Sequence, residues 1–193
     1  MLPSSSRMDK KAQLINILNS RALISNQETK LASGASSGTY INCKKLSLHG
    51  PSLKLLGEMF IDKIIDDKSD LIGGVCVGGD PLVAACILEA NKRNWEVEGL
   101  LVRKDPKTHG ASQGECIESG SLKEFSNRPN VWLIEDVVTT GKSSYLAAEN
   151  LRKDGYDLKG IYVIVDRQSG GMSFLRQKLK CPVKSLCKLS DLG

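Results

Sequence analysis

Val131-Trp132-Leu133-Ile134-Glu135-Asp136-Val137-Val138-Thr139-Thr140-Gly141-Lys142-Ser143-Ser144 is the stretch whose reading decides the fold. Its apolar start predicts a buried strand over residues 131–134, ending in two adjacent carboxylates, Glu135 and Asp136. A loop of small residues follows, and then a helix predicted over 143–153. In open α/β sheets, ligands bind at the carboxyl ends of the strands. There the loop lets backbone N–H groups approach a phosphate, and the helix N-terminus adds partial positive charge. Thr139, Thr140, Ser143 and Ser144 add hydroxyl donors. The carboxylates repel phosphate and suit hydroxyls or a metal. A ligand with a phosphate at one end and a diol at the other is a ribose 5-phosphate.

One rival motif shares part of this stretch. Gly141-Lys142-Ser143 ends like a P-loop, but that motif needs a second glycine at position 136. Asp136 stands there instead and would repel a nucleotide phosphate.

Outward from this stretch, strands and helices alternate. An apolar run over 71–77 is followed by Asp80-Pro81 and a helix over 82–92, with Asp80 as cap and Pro81 at the first helical position. Strands are predicted over 97–102, 161–165 and 183–186, with a short helix before the last. This order implies an α/β fold with a central, mainly parallel sheet flanked by helices. Toward the N-terminus, Leu14, Ile15 and Leu18 share one helical face, residues 39–43 are a short strand candidate, and 52–65 return to helix. Residues from about 20 to 50 read as a small hood, and 51–193 as the core of a single domain. The stretch 105–130 has no clear periodicity, and such long connections are usually functional.

Composition narrows the class. The 193 residues are 40% hydrophobic and 25% charged, with a net charge of +5. That is ordinary for a globular domain. The longest near-apolar run, 82–88, falls far short of the roughly 20 residues that span a bilayer. Met1 to Lys11 is polar and basic and does not read as a secretory signal. Six cysteines form no Cys-x-x-Cys pair, and His49 and His109 lie near none of them in ligand spacing. Zinc is therefore not expected, Cys76 and Cys86 read as buried thiols, and the setting reads as reducing and cytoplasmic.

A second cluster refines the chemistry. Arg103-Lys104-Asp105-Pro106-Lys107-Thr108-His109-Gly110 puts four cations or potential cations within seven residues, directly after a strand. Such a loop is built to neutralise a departing polyanion, and charge stabilisation is usually the largest catalytic term. A third segment, Val165-Asp166-Arg167-Gln168-Ser169-Gly170-Gly171, also follows a strand. Its permanently charged, planar guanidinium suits a planar carboxylated base.

The stretch 131–144 resembles the signature of the type I phosphoribosyltransferases: an apolar strand, two acidic residues, and a T-T/S-G-x-S/T loop. The cation cluster resembles the catalytic loop of orotate phosphoribosyltransferases, R-K-x-x-K-x-H-G. Asp166-Arg167 through Gly170 resembles that family's D-R-x-x-G. Leu31-Ala32-Ser33-Gly34 and Tyr40-Ile41-Asn42 resemble its hood, and Gly78-Gly79-Asp80-Pro81 its pyrophosphate loop. The resemblance covers roughly residues 20 to 171. It implies the type I phosphoribosyltransferase fold, and transfer of ribose 5-phosphate from phosphoribosyl pyrophosphate (PRPP) to orotate in pyrimidine synthesis.

By the same resemblance, Glu135 and Asp136 hold the ribose hydroxyls. The run from Val137 and Val138 through Thr139, Thr140, Gly141, Lys142, Ser143 and Ser144 holds the 5′-phosphate. Lys107 is the principal catalytic lysine; Arg103, Lys104 and His109 bind or protonate pyrophosphate. Arg167 meets the orotate carboxylate, and Thr139 is counted with the base as well as with PRPP. Asp136 is counted as catalytic alongside Lys107 and His109. Magnesium is implied as counter-ion, with no protein ligand assigned, and a loop shared between subunits implies a homodimer. Two departures stand out: Ala32 occupies a position where many members carry lysine, and Gly78 one where some do. The alternatives are the same chemistry on another base, such as a purine, or a PRPP-sensing regulator that binds nucleic acid. Arg167 and the loop argue against the first; an intact catalytic loop, and the lack of a nucleic-acid-binding signature, argue against the second.

Overall fold

The computed structural model describes residues 9–30, 36–108, 113–120 and 128–193. Among them, six strands form one sheet in the order β5-β4-β3-β6-β7-β8. These are β3 (Leu71–Val75), β4 (Glu98–Val102), β5 (Ile117–Ser119), β6 (Asn130–Val138), β7 (Asp157–Asp166) and β8 (Val183–Lys188). All neighbours run parallel except β5, which pairs antiparallel with β4. A separate antiparallel hairpin, β1 (Leu23–Lys30) with β2 (Ser36–Ile41), forms the hood. The segment 31–34 assigned to the hood lies outside the described residues.

The strands are buried on both faces, and alternate side chains serve two cores. Ile72, Trp132, Ile134, Tyr162 and Ile164 face one cluster with helices α1 (Lys10–Ile17), α3 (Gly50–Ile64) and α4 (Asp80–Lys92). Leu71, Val131, Leu133, Ile161 and Val163 face the other, with α5 (Lys142–Lys153) and α6 (Gly171–Leu179). In α3 the residues Leu56, Phe60 and Ile64 recur every fourth position and are each 0% exposed. The Asp70 carboxylate accepts hydrogen bonds from the backbone N–H (2.8 Å) and Nδ2 (2.7 Å) of Asn130, which ties the starts of β3 and β6 together.

Several boundaries differ from the sequence reading, each for a tertiary reason. Strand β2 ends at Ile41, because the Asn42 N–H turns to the Ala22 carbonyl (2.9 Å) and Cys43 leads into the short helix α2 (Lys44–Ser47). Helix α4 starts at Asp80 itself, with Gly79 in the cap position and no side-chain cap. The stretch 105–130 contains an unpredicted strand, β5. Beyond it the chain continues as a hairpin: Arg103 N–H bonds the Cys116 carbonyl (2.8 Å), and Lys107 N–H the Glu115 carbonyl (2.9 Å). Cys86 is buried as expected, but Cys76 is only half-buried; burial pushes its thiol up to about 12, with Asp80 adding to the shift.

Most consequential is β6. It does not end at the carboxylates but runs on to Val138. Its ladder with β3 stops at Ile134, whereas its ladder with β7 continues to Val138 opposite Asp166. Glu135 and Asp136 therefore sit inside a strand whose β3 side has come free. That opening lies where strand order reverses, with β3 and β4 on one side and β6 onward on the other. Such a switch point is where doubly wound sheets place ligands.

Candidate active site

A cleft of about 940 Å³ opens at this point. Glu135, Asp136, Val137, Val138, Thr139, Thr140, Gly141, Lys142, Ser143, Ser144 and Arg167 all line it, with Lys104 and the hood residues Tyr40 and Ile41. The structure thus gathers the strand, the loop, the arginine and the hood into one place.

The two carboxylates are not equivalent. Glu135 is 6% exposed. Its carboxylate accepts from Ser144 Oγ (2.9 Å) and from the Asp136 N–H (3.3 Å). Burial pushes the Glu135 carboxyl well up, and the neighbouring Asp136 charge adds to this, while the Ser144 hydrogen bond opposes it. Asp136 is half-buried and accepts from the Val137 N–H (2.7 Å). Its carboxylate lies over Gly78, where an added Cβ would come within 2.5 Å of the Asp136 carboxyl carbon. At this departure from the family pattern, the Asp136 carboxyl would have to move to admit a side chain at position 78. The other departure, Ala32, lies outside the described residues.

The hydroxyls divide as well. Thr140 and Ser143 are exposed and Thr139 is half-buried, so all three are accessible from the cleft. Ser144 is buried and engaged with Glu135, so it braces the strand and is not an open donor. Val138 is a core residue, 1% exposed, whose carbonyl accepts from the Arg167 N–H (3.0 Å). Gly141 adopts φ 78° at the cap position of α5, a left-handed turn that favours glycine. The backbone and hydroxyl donors of this turn, together with the helix N-terminus, can hold a phosphate. Arg167 is 7% exposed beside them, an apt partner for an anionic, planar ligand.

The cation loop is only partly at the cleft. Lys104 lines it; Arg103 and Lys107 do not. Both instead pair with Glu118 on β5, at 2.9 and 2.8 Å. His109 lies outside the described residues. Two contributors escaped the sequence reading. Glu118 is a lone carboxylate in an aperiodic stretch, and Asn150 a lone amide on α5. The Asn150 Nδ2 donates to the carbonyls of Arg103 (2.8 Å) and Lys104 (3.3 Å), which anchors the loop root to the helix behind the phosphate turn. Neither has a motif spacing that could have flagged it.

The donor set also bears on magnesium. That ion is usually held by one or two carboxylates plus substrate phosphates, with several waters retained. Among the described residues no group of three His, Cys, Asp or Glu side chains forms a cage. The half-buried Asp136 carboxylate fits an ion that arrives with a polyphosphate substrate.

The Glu135 environment has a consequence for stability. Its folded-state value lies above the ordinary carboxylate range of about 4.3. The associated stability is present below that range and is lost as pH rises through the raised value. Glu135→Gln keeps an acceptor for Ser144 without the charge. Its melting temperature should therefore fall less than that of the wild type between acidic and alkaline buffer. Each kcal/mol of difference shows as about 2–4 °C in a chain of this size. Parallel melting curves across the pH series would show that Glu135 is not the group responsible.

No family model matches the chain. Curated relatives do. The chain is 31% identical to the orotate phosphoribosyltransferase of Corynebacterium glutamicum (strain R), over all of this chain and 99% of that protein. It is 37% identical to the orotate phosphoribosyltransferase of Leptospira biflexa, over 76% of this chain and 78% of that protein. Among solved structures, Mycobacterium tuberculosis orotate phosphoribosyltransferase in complex with PRPP superposes with a TM-score of 0.75. That match has 22% identity and covers 96% of this chain and 99% of that one. It shows the fold.

Proposed function

The chain belongs to the orotate phosphoribosyltransferase family, and on that premise we propose how its cleft works. The enzyme transfers ribose 5-phosphate from PRPP to orotate, giving orotidine 5′-monophosphate and pyrophosphate. One observation carries the site assignment: the phosphate turn, Asp136 and the buried Arg167 share a single cleft at the strand-order reversal.

The turn over 139–143 takes the 5′-phosphate through backbone N–H groups, the Thr139, Thr140 and Ser143 hydroxyls and the start of α5. Asp136 faces the ribose hydroxyls. Glu135, braced by Ser144, fixes the strand beneath it. Arg167 holds the orotate carboxylate, with Thr139 beside it and Tyr40 and Ile41 of the hood above. During the reaction the bond from C1′ to pyrophosphate breaks and its electron pair leaves with pyrophosphate. A ring nitrogen of orotate forms the new bond to C1′ and gives up its proton, which leaves with pyrophosphate. Lys107, Arg103, Lys104 and His109 are the cations assigned to the departing charge. Asp136 is the carboxylate that would meet magnesium arriving with the polyphosphate, and the ion would supply charge neutralisation of the leaving group.

Lys107 points to Glu118 and not into the cleft of its own chain. This supports a homodimer in which each loop serves the neighbouring subunit. All six cysteines are free thiols, which supports a cytoplasmic setting. Among the described residues, no helix is long and apolar enough to cross a membrane. The hood and core share one apolar cluster containing Leu18, Ile41, Phe60 and Trp132, which supports one domain over the whole chain.

Base selection is tested with Arg167→Ala. The variant should raise KM for orotate at least tenfold, the loss of roughly one charge-assisted contact, and leave KM for PRPP nearly unchanged. Initial rates with each substrate varied in turn measure both. An unchanged KM for orotate would take Arg167 out of base recognition.

A further inference from the structure

Two of the cations assigned to pyrophosphate share one carboxylate. Glu118 Oε1 accepts from Arg103 at Nε (3.2 Å) and at a terminal guanidinium nitrogen (2.9 Å). Its Oε2 accepts from Lys107 Nζ (2.8 Å). Both oxygens of one side chain are thus engaged by two cations four residues apart. A pyrophosphate oxygen cluster offers those cations the same thing: a compact anion with several acceptors.

The setting favours exchange over permanent bracing. The side chains of Arg103, Lys107 and Glu118 are 33%, 24% and 28% exposed. A competing anion can therefore reach the pairs, and breaking them carries little desolvation cost. Hydrogen bonding from Lys107, then from Arg103, holds the Glu118 carboxyl below its usual range, so it stays an anion at neutral pH. The backbone is secured without these side chains. The hairpin is closed by Arg103 to Cys116 and by Lys107 to Glu115 and Gly114, and its root by Asn150. Among the described residues, the Glu118 carboxylate engages the Arg103 and Lys107 side chains.

We propose that Glu118 is a positioning residue that stands in for pyrophosphate: it holds Lys107 and Arg103 clear of the cleft until the polyanion takes them over. This rests on the reading of Lys107 and Arg103 as pyrophosphate groups. Each binding event then exchanges one anion for another, and each product release returns the cations to Glu118. The carboxylate weakens pyrophosphate binding and speeds its departure.

The sign of one affinity change separates this role from a brace. Removing a competitor tightens binding; removing a brace weakens it. The probe is inorganic pyrophosphate with magnesium, titrated calorimetrically into the full-length protein and, in parallel, used as an inhibitor of orotate consumption. Glu118→Gln should bind pyrophosphate about three- to tenfold tighter, the scale of two partly exposed ion pairs. Glu118→Asp, which restores the charge, should return toward the wild type. Lys107→Ala should bind pyrophosphate more weakly, and in the Lys107→Ala/Glu118→Gln double variant the tightening should shrink. If Lys107→Ala weakens binding but Glu118→Gln leaves it unchanged or weaker, the stand-in role is wrong and the assignment of Lys107 survives. If Lys107→Ala binds as the wild type does, the assignment of Lys107 fails, and the stand-in role with it.

Discussion

Lys107→Ala should lower kcat by about 10²–10³, the cost typical of losing one preorganised donor to developing charge, while orotate binding stays close to that of the wild type. The expectation follows from where the charge develops. As C1′ loses its leaving group, negative charge grows on pyrophosphate and not on the base, so the lysine's contribution is made mainly in the transition state. An interaction of that kind appears in kcat and not in substrate affinity. The resting geometry sharpens the point, because Lys107 is paired with Glu118 and lies outside the cleft of its own chain. In a homodimer the missing cation and the missing carboxylate then belong to different chains for any one site. Purified mixed dimers of Lys107→Ala and Asp136→Ala subunits should recover about half of the sites, since one of their two clefts carries both intact groups. Steady-state kinetics on the single variant and on purified mixed dimers measure both parts. Full retention of kcat would remove Lys107 from catalysis, and inactive but well-formed mixed dimers would place the loop in its own cleft.

The second large effect comes from a residue with no side chain. The Gly171 N–H donates to the Thr139 carbonyl (3.1 Å), which locks the phosphate turn onto the start of α6. An added Cβ at 171 would overlap that same carbonyl oxygen and come within 2.8 Å of the Gly141 N. The nearest obstruction is backbone, with Val138 Cγ1 also within 2.7 Å, so the turn itself must move. Gly171→Ala should therefore cost about 1–3 kcal/mol of stability, as overpacking does, and raise KM for PRPP at least tenfold. The second effect would reflect displacement of the turn proposed to hold the 5′-phosphate. Thermal melting and PRPP titration read the two effects separately. A variant with wild-type KM would show that the turn tolerates the shift.

Much of this arrangement was legible in the sequence because it is local. The apolar strand, carboxylate pair, small-residue turn and helix over 131–144 form one continuous signal, and the alternation of apolar runs with helical segments pointed to the parallel sheet. What escaped depends on partners distant in the chain. The extension of β6 to Val138 is set by its ladder with β7; Val137 and Val138 are β-branched and offered a hint, but the acidic pair before them read as a strand end. The short edge strand β5 exists because β4 offers a free edge, and nothing periodic marks it. Glu135 and Ser144 lie nine residues apart, and only the fold shows that the hydroxyl serves the carboxylate and not the ligand. Glu118 illustrates the limit best. The cations of the loop were visible as a cluster, but the carboxylate that holds two of them lies on the far arm of a hairpin whose pairing no local pattern announces.

Orotate absorbance, followed with the purified protein, magnesium and PRPP and with each component omitted in turn, measures the transfer reaction directly. Orotate should disappear only in the complete mixture, with one pyrophosphate formed per orotate consumed, and adenine, hypoxanthine or uracil offered in its place should persist. Unchanged orotate in the complete mixture, or consumption of another base in preference to it, would contradict the assignment.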